Sequence, residues 1–161
     1  MGIAAERMAK DNQVSREKQD AWALRSHQRA ASAVKDGRLT KEIGVVYVPP
    51  DFKNVVSQDN GIRTDSSLEK LGVLRPVFDC DHGSVTAGNS SPLTDGAAAT
   101  LICEENYAKE NNLEILGRIV STAVEGCEPN YMGLGPIGAS RKALERANLT
   151  IDKIDIIELN E

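Results

Sequence analysis

The sequence predicts an α/β fold, and two observations carry this prediction. Segments whose apolar residues recur at helical spacing alternate with short runs rich in β-branched residues, an order typical of α/β proteins. The alternation is regular after residue 87, whereas residues 51–76 are polar and irregular. At 161 residues, the chain is long enough for one domain with a core. We therefore expect an α/β domain whose organisation changes near residue 87.

The chain is predicted to begin with two helices. Residues 1–12 form the shorter one, and residues 14–37 give the clearest helical pattern in the sequence. Ser15 is a suitable N-cap, and Glu17 places a negative charge in the first turn of the second helix. Gly37 is the residue type that commonly follows a helix end. These signals define both ends of the second helix.

The polar region that follows is predicted to hold little regular structure. Residues 43–50 are β-branched and aromatic and end in two prolines, so they predict a strand. Residues 59–63 contain an Asn-Gly turn signal. A short helix is expected within residues 66–76, capped by Ser66 or Ser67.

The second half of the chain is predicted to alternate strands with helices. Apolar, β-branched runs predict strands at residues 98–103, 116–126 and 154–159. Residues 104–112 and 135–148 predict helices, the second with a proline in its first turn. This alternation is the main support for the α/β prediction.

The charge and cysteine content exclude several classes of function. The 24 acidic and 19 basic residues give a net charge of −5, which argues against nucleic-acid or anionic-membrane binding. No apolar run reaches the roughly 20 residues that a membrane span needs. Cys80, Cys103 and Cys127 are odd in number and lack a CxxC spacing, so they predict neither a zinc site nor a disulfide framework. A reducing, cytoplasmic compartment is expected, with Cys103 as an inert core thiol.

The run "GLGPIG" matches a dinucleotide-binding fingerprint through Gly133, Gly135 and Gly138. Asp155, 17 residues later, is the acidic residue that such a fingerprint requires. Pro136, however, lacks one backbone donor, and no strand leads directly into the motif. The alternative interpretation, a tight glycine turn that begins a helix, is favoured.

Two further features are compatible with ligand binding. The run "TAGNSS", residues 86–91, combines small residues with neutral donors and acceptors, which suits an amide-containing ligand chain. An ordinary turn is an equal alternative. Arg63 follows the turn at residues 59–63 and could meet an adenine face or a phosphate, although a solvated surface arginine is the default. Cys80 and His82 lack a third group to complete a catalytic set, so they are interpreted as part of a polar turn.

Seven stretches of the sequence carry a resemblance to a known family. They are "SREKQDAWALRSHQRA", "NGIR", "LEKLGVLRPVF", "GSVTAGNSSPLTDGAAA", "GRIVSTAVEG", "MGLGPIGASRKALERANL" and "IELNE". Together, and in this order, they resemble the thiolases, which are acetyl-CoA C-acyltransferases. The resemblance implies a central fragment of a thiolase-like fold. Residues 1–86 would be most of the CoA-binding loop domain, residues 87–112 the end of the N-terminal core domain, and residues 113–161 the start of the C-terminal core domain.

The resemblance also implies an activity. Thiolases transfer an acyl group between 3-ketoacyl-CoA and CoA in fatty-acid metabolism, and the runs "VPP" and "DNGIR" look closer to the thiolases of fatty-acid oxidation. CoA and acyl-CoA are then substrates, and no prosthetic group is implied. The full enzyme is expected to be a homo-oligomer, a dimer or tetramer.

Site residues follow from the same resemblance, position by position. Asn160 matches the asparagine of the family's Asn-Glu-Ala-Phe motif, which holds a water in the oxyanion hole. Pro92 stands where many relatives have glycine. The residues implied in binding are Arg63 beside the adenine, Leu71 and Phe78 in the apolar CoA groove, Ala87 and Ser91 at the pantetheine arm, and Met132 near the acyl group.

Three catalytic motifs of the family match nothing in these 161 residues: the nucleophilic cysteine, the histidine of a Gly-His-Pro motif and the second cysteine near a glycine run. We therefore expect that the isolated chain is inactive, since the covalent route is closed. The alternative function is a non-catalytic CoA-binding module. A dinucleotide binder using Gly133, Gly135 and Gly138 is the third hypothesis.

Overall fold

The computed structural model describes residues 1–160, which form two compact units that divide between Pro92 and Leu93. Within these residues, no helix is long and apolar enough to cross a membrane. The first unit contains helices α1 (Gly2–Asp11), α2 (Arg16–Lys35) and α3 (Leu68–Gly72) and strands β1 (Val46–Val48) and β2 (Asn54–Val56). The second unit contains helices α4 (Glu105–Glu110) and α5 (Gly135–Arg146). Short 3₁₀ turns span Leu39–Lys41, Pro129–Leu134 and Ile151–Lys153.

Helices α1 and α2 confirm the first two predicted helices. The Ser15 hydroxyl accepts a hydrogen bond from the Lys18 backbone N–H at 3.4 Å, so it caps α2 as expected. Gly37 has a φ of 73°, a left-handed conformation that glycine adopts without strain. The sequence signals at both ends of α2 therefore correspond to real backbone geometry.

Strands β1 and β2 pair antiparallel, with Tyr47 opposite Val55. The predicted strand at residues 43–50 forms, but it is only three residues long. Strand β2 lies in the stretch predicted to be irregular, so that prediction was wrong. Val55 and Val56, neighbours on opposite faces of β2, are 51% and 52% exposed, so the strand lacks the alternation of buried and exposed residues that reveals strands in a sequence.

Helices α2 and α3, with the segment just before the turn at residues 86–91, form the small core of the first unit. Ser67, one of the two predicted caps, accepts a hydrogen bond from the Lys70 N–H at 3.3 Å. Leu71 and Val85 are the buried aliphatic side chains of this core, at 5% and 6% exposure. This core contains few buried side chains, so hydrogen bonds contribute much of what holds the turn at residues 86–91 in place.

The second unit confirms both predicted helices and contradicts three predicted strands. No strand is assigned at residues 98–103, 116–126 or 154–159 in the described part of the chain. A strand exists only when a neighbouring strand pairs with it, and the described residues supply no such neighbour. The apolar residues of these runs are correspondingly exposed; examples are Leu101 at 79% and Ile156 at 84%. Cys103 is exposed for the same reason, so the prediction of a core thiol was wrong.

Candidate functional site

The turn at residues 86–91 is closed by the side chain of Asn89. Its amide oxygen accepts a hydrogen bond from the Thr86 N–H at 2.7 Å. Its amide nitrogen donates to the Ser84 carbonyl and to an Asp20 carboxylate oxygen, both at 2.9 Å. Thr86 is fully buried, at 0% exposure. Every hydrogen-bonding atom of the Asn89 amide therefore either fixes the turn or ties it to α2.

Asp20 is a buried carboxylate, 4% exposed, and its charge is compensated on the same helix. The Arg16 Nε lies 2.8 Å from the second Asp20 oxygen. The same guanidinium donates to the Leu71 carbonyl at 2.6 Å and the Leu74 carbonyl at 3.1 Å. These carbonyls lie at and just beyond the end of α3, so the guanidinium caps the C-terminal end of that helix. The resulting Arg16–Asp20–Asn89 lock joins α2, the end of α3 and the turn.

Helix α1 fixes the segment that leads into the turn. The Glu6 carboxylate accepts hydrogen bonds from the Val85 N–H at 2.8 Å and from both the N–H and the hydroxyl of Ser84, at 2.9 and 3.0 Å. Gln19 on α2 donates to the same Ser84 hydroxyl at 2.9 Å. Hydrogen bonds to a carboxylate are stronger than neutral ones. The turn is thus held from two helices.

The residues implied in the CoA groove lie around this turn. Ala87 and Ser91 are exposed on it. Phe78 is 50% exposed, and its ring lies so close to Gly2 on α1 that a Cβ there would fall 2.0 Å from the ring. Leu71 is only 5% exposed and packs under Gly88, whose added Cβ would lie 2.6 Å from it. Phe78, Ala87 and Ser91 thus present surface to solvent, whereas Leu71 supports the turn from below.

Arg63 is connected to α2 through His27. The Arg63 backbone N–H donates to the His27 Nδ1 at 3.3 Å, and the Arg63 side chain is exposed. His27 follows Asp20 by seven residues, two helical turns, so both lie on one face of α2 about 10 Å apart. Sequence reasoning missed this role of His27, because a hydrogen bond to a distant backbone leaves no signal in the spacing of residues.

Asp65 and Lys70, which lie near Arg63 in the chain, form an ion pair with each other. Asp65 accepts a hydrogen bond from the Lys70 ammonium at 2.7 Å. This contact lowers the pKa of Asp65 below its ordinary value, with a smaller contribution from the nearby Arg63 charge. Because Asp65 and Lys70 neutralise each other and Arg63 is in no ion pair within the described residues, Arg63 is the available cation of this segment.

Met132 and Asn160, the other two implied site residues, belong to the second unit. Met132 lies in the 3₁₀ turn Pro129–Leu134 and is 42% exposed. The Cys127 thiol donates to its carbonyl at 3.8 Å. Asn160 is exposed, while Glu161, which completes the "IELNE" run, lies outside the described residues.

The glycines of "GLGPIG" serve helix packing in the second unit. A Cβ on Gly135 would lie 3.2 Å from the Cys127 sulfur, and one on Gly138 would lie 2.5 Å from the Glu125 carboxyl. Glu125 is in turn paired with Lys142 at 2.9 Å. A carboxylate beside the start of α5 opposes the binding of a pyrophosphate. The geometry therefore favours the tight-turn interpretation over the dinucleotide hypothesis.

The region of Cys80 and His82 is a polar turn in the structure. No group of three or more potential metal ligands occurs among residues 1–160. The Asp79 carboxylate accepts from the His82 N–H at 3.0 Å, so this region is a side-chain-capped polar turn. All three cysteines are exposed.

Two family models match the chain and together cover nearly all of it. The model described as "Thiolase, N-terminal domain" matches residues 1–106. The model described as "Thiolase, C-terminal domain" matches residues 113–161.

Individual relatives agree with these models. The chain is 49% identical over its whole length to a 3-ketoacyl-CoA thiolase of Shewanella oneidensis and 48% identical to one of Photorhabdus laumondii. It spans 42% of the length of each of these relatives.

Solved structures show the same architecture. The Bacillus anthracis acetyl-CoA acetyltransferase superposes with a TM-score of 0.91 at 40% identity, over 97% of this chain and 40% of that one. The human mitochondrial 3-ketoacyl-CoA thiolase in complex with CoA superposes with a TM-score of 0.89 at 38% identity, over 97% of this chain and 38% of that one. These likenesses confirm the predicted thiolase-like α/β fold for the part of it that the chain represents.

Proposed function

Because the chain belongs to the thiolase family, we propose that these residues hold the CoA portion of a thioester in an acetyl-CoA C-acyltransferase. The observation that carries the proposal is the turn at residues 86–91, which two helices fix while Ala87 and Ser91 stay exposed. A CoA complex of one structural neighbour, the human mitochondrial enzyme, supports CoA as the ligand class.

The proposed reaction is reversible acyl transfer between 3-ketoacyl-CoA and CoA, giving acyl-CoA and acetyl-CoA, as in fatty-acid metabolism. It would proceed through an acyl-cysteine intermediate on the family's nucleophile. The names of the curated relatives support the 3-ketoacyl substrate class. CoA thioesters are substrates here, and the proposal includes no prosthetic group.

Two residues of α2, His27 and Asp20, position the two proposed CoA-binding regions. Arg63, positioned through His27, meets the adenine or a phosphate of CoA. Ala87 and Ser91, positioned through Asn89, contact the pantetheine arm. Phe78 contributes an exposed aromatic surface, whereas the burial of Leu71 indicates that it acts by supporting the turn.

Two residues of the second unit have further roles in the proposed reaction. Met132 contacts the acyl group, and its 42% exposure leaves surface for that contact. Asn160 holds the oxyanion-hole water that polarises the thioester carbonyl. A neutral amide suits this role because it can accept from water without adding a charge that opposes the oxyanion.

We further propose that these 161 residues do not turn over alone. The two histidines are followed by Gln28 and Gly83, so neither begins a His-Pro pair. A thiolase needs such a histidine and a nucleophilic cysteine, and the family's motifs for both match no residue here. Asn160 cannot supply either function, because an amide neither transfers a proton at neutral pH nor forms a thioester.

Complementation tests this function directly. The chain is mixed with a polypeptide that carries the cysteine and Gly-His-Pro segments of a 3-ketoacyl-CoA thiolase, and thioester cleavage by CoA is followed. We expect no turnover from either polypeptide alone and turnover from the mixture, which Asn160→Ala reduces. Turnover by the chain alone would contradict the proposal that it is inactive by itself.

The alternative, a non-catalytic CoA-binding module, predicts a different outcome of the same experiment. It predicts CoA binding by the chain without any restoration of turnover in the mixture. The finer assignments that accompany the main proposal are a homo-oligomeric full enzyme, a cytoplasmic location, and the division at residues 86 and 112 into loop and core domains.

A further inference from the structure

We propose that Asn89, fixed by Asp20 and Arg16, is the positioning residue for the pantetheine-contacting turn; this inference rests on the proposed CoA-binding function. Asn89 itself touches no ligand in this proposal. Its amide nitrogen and oxygen hold the backbone from which Ala87 and Ser91 reach the ligand.

The hydrogen bonds assign Asn89 a role that few other residue types can fill. Its side chain must accept from the Thr86 N–H while donating to both the Ser84 carbonyl and the Asp20 carboxylate. An aspartate would keep the acceptor but would place a second carboxylate beside Asp20. A serine has only one hydroxyl proton and cannot donate to two acceptors at once.

These hydrogen bonds join buried groups, so the loss of one of them destabilises the turn. Asp20 is 4% exposed, and Thr86 is 0% exposed, so water cannot replace a lost partner without rearrangement. A buried polar group left without its partner is costly. When Asn89 is removed, the turn therefore gains freedom or moves until the Asp20 oxygen is solvated.

The proposed site has two parts, the pantetheine-contacting turn and Arg63 at the nucleotide end. Different residues of α2 hold these two parts. Arg16 connects Asp20 to the carbonyls of Leu71 and Leu74, all within the pantetheine half. Arg63 is held through His27 instead, two helical turns further along α2. Loosening the turn should therefore weaken contacts to the pantetheine arm and leave those to the nucleotide end intact.

The test uses two ligands and three variants of the 161-residue chain. The ligands are CoA and adenosine 3′,5′-bisphosphate, which represents its nucleotide end without the pantetheine arm. Asn89→Ala removes the whole interaction, and Asn89→Asp keeps size and shape but removes the donor. Ser90→Ala, an exposed neighbour in the same turn, is the matched control. Calorimetry gives the affinities, and amide hydrogen exchange reports on residues 84–91.

We expect both Asn89 variants to lose about ten-fold in CoA affinity, since each loses hydrogen bonds that hold the turn, while their affinity for the bisphosphate is unchanged. Exchange should accelerate across residues 84–91 in both variants, and at Thr86 most in Asn89→Ala, because Asn89→Asp keeps the acceptor for the Thr86 N–H. Ser90→Ala should behave like the unsubstituted chain. An equal loss for both ligands, or unchanged CoA affinity, would overturn the positioning role.

The exchange measurement separates this proposal from the proposed function. If the unsubstituted chain binds neither ligand, CoA binding by these residues is wrong, whatever the variants do. In that case, faster exchange confined to residues 84–91 in both Asn89 variants still supports the lock, and unchanged exchange refutes it.

Discussion

His27 shows at the residue scale how one side chain sets the position of a distant backbone. Its Nδ1 accepts from the Arg63 N–H at 3.3 Å, across 36 positions of sequence. Because Nδ1 must be unprotonated to accept, the contact also fixes which ring nitrogen carries the proton in neutral His27. The backbone that carries the exposed Arg63 side chain is therefore hydrogen-bonded to α2.

Replacing His27 tests this tether. His27→Phe keeps the ring but removes the acceptor, and we expect CoA affinity to fall about five-fold, the equivalent of one hydrogen bond of about 1 kcal/mol. His27→Asn is the matched control, since its amide oxygen can take the place of Nδ1. Calorimetric titration with CoA gives the two affinities. Equal affinities for the two variants would show that the tether does not position Arg63.

Glu105 gives a pH-dependent prediction in the second unit. Its pKa is lowered from 4.5, mainly by the hydrogen bond from Lys109 and also by the Arg118 charge. A carboxyl whose folded-state pKa is depressed contributes stability above its unfolded pKa and loses it as the pH falls through the folded value. The contribution is present at neutral pH and disappears on acidification below pH 4.5.

The free energy of unfolding of Glu105→Gln should therefore fall less steeply with decreasing pH than that of the unsubstituted chain. Thermal unfolding across the acid range measures this, with Glu110→Gln as a control carboxylate on the same helix. The difference between Glu105→Gln and the unsubstituted chain should shrink as the pH falls below 4.5. A difference that stays constant with pH would contradict the assigned ion pairing.

At the scale of elements, α2 determines most of the first unit's geometry. Its face formed by Arg16, Asp20 and His27 anchors α3, the turn at residues 86–91 and the Arg63 segment. The cap at Ser15 and the glycine at residue 37 made this helix predictable from the sequence. Its polar anchors were not predictable, because their partners lie 36 to 69 positions away.

Packing between the turn and α3 depends on the absence of a side chain at residue 88. A Cβ on Gly88 would lie 2.6 Å from Leu71, which is buried and has little room to move. We expect Gly88→Ala to lower the free energy of unfolding of the first unit by about 1–3 kcal/mol, the usual cost of overpacking. Denaturant unfolding measures the change.

Gly61→Ala is the control for this variant, since nothing lies within 4 Å of a Cβ there. It should leave stability nearly unchanged. If Gly88→Ala is as stable as Gly61→Ala, the contact between the turn and Leu71 is not tight in solution.

The three wrong strand predictions show that residue composition alone does not reveal whether a segment has a strand to pair with. Residues 98–103, 116–126 and 154–159 carry the β-branched residues typical of strands, yet the described chain pairs none of them. Residue composition reports a preference for a pleated, half-buried surface, whereas a strand also needs a hydrogen-bonded neighbour. The helices were predictable because their hydrogen bonds close within each segment.

At the scale of the whole molecule, the second unit exposes large apolar side chains. The most exposed are Leu93 at 105%, Leu116 at 90% and Val124 at 89%. Exposed apolar surface of this extent is typical of regions that contact other polypeptide. We therefore expect the isolated 161-residue chain to self-associate.

Sedimentation velocity over a range of protein concentrations measures this association. The pair of substitutions Leu116→Lys and Val124→Lys should shift the chain towards monomer. Val73→Lys, at an equally open position of the first unit (80% exposed), is the control and should shift it less. A chain that stays monomeric at high concentration would contradict this expectation.

The proposed function rests on binding of CoA by this chain through Arg63 and the turn at residues 86–91. Calorimetric titration of the chain with CoA tests it most directly, with Arg63→Ala as the binding variant and Arg38→Ala, a surface arginine paired with Asp36, as the control. We expect saturable binding that Arg63→Ala weakens and Arg38→Ala leaves unchanged. No binding heat at any CoA concentration, or equal affinities for the two variants, would contradict it.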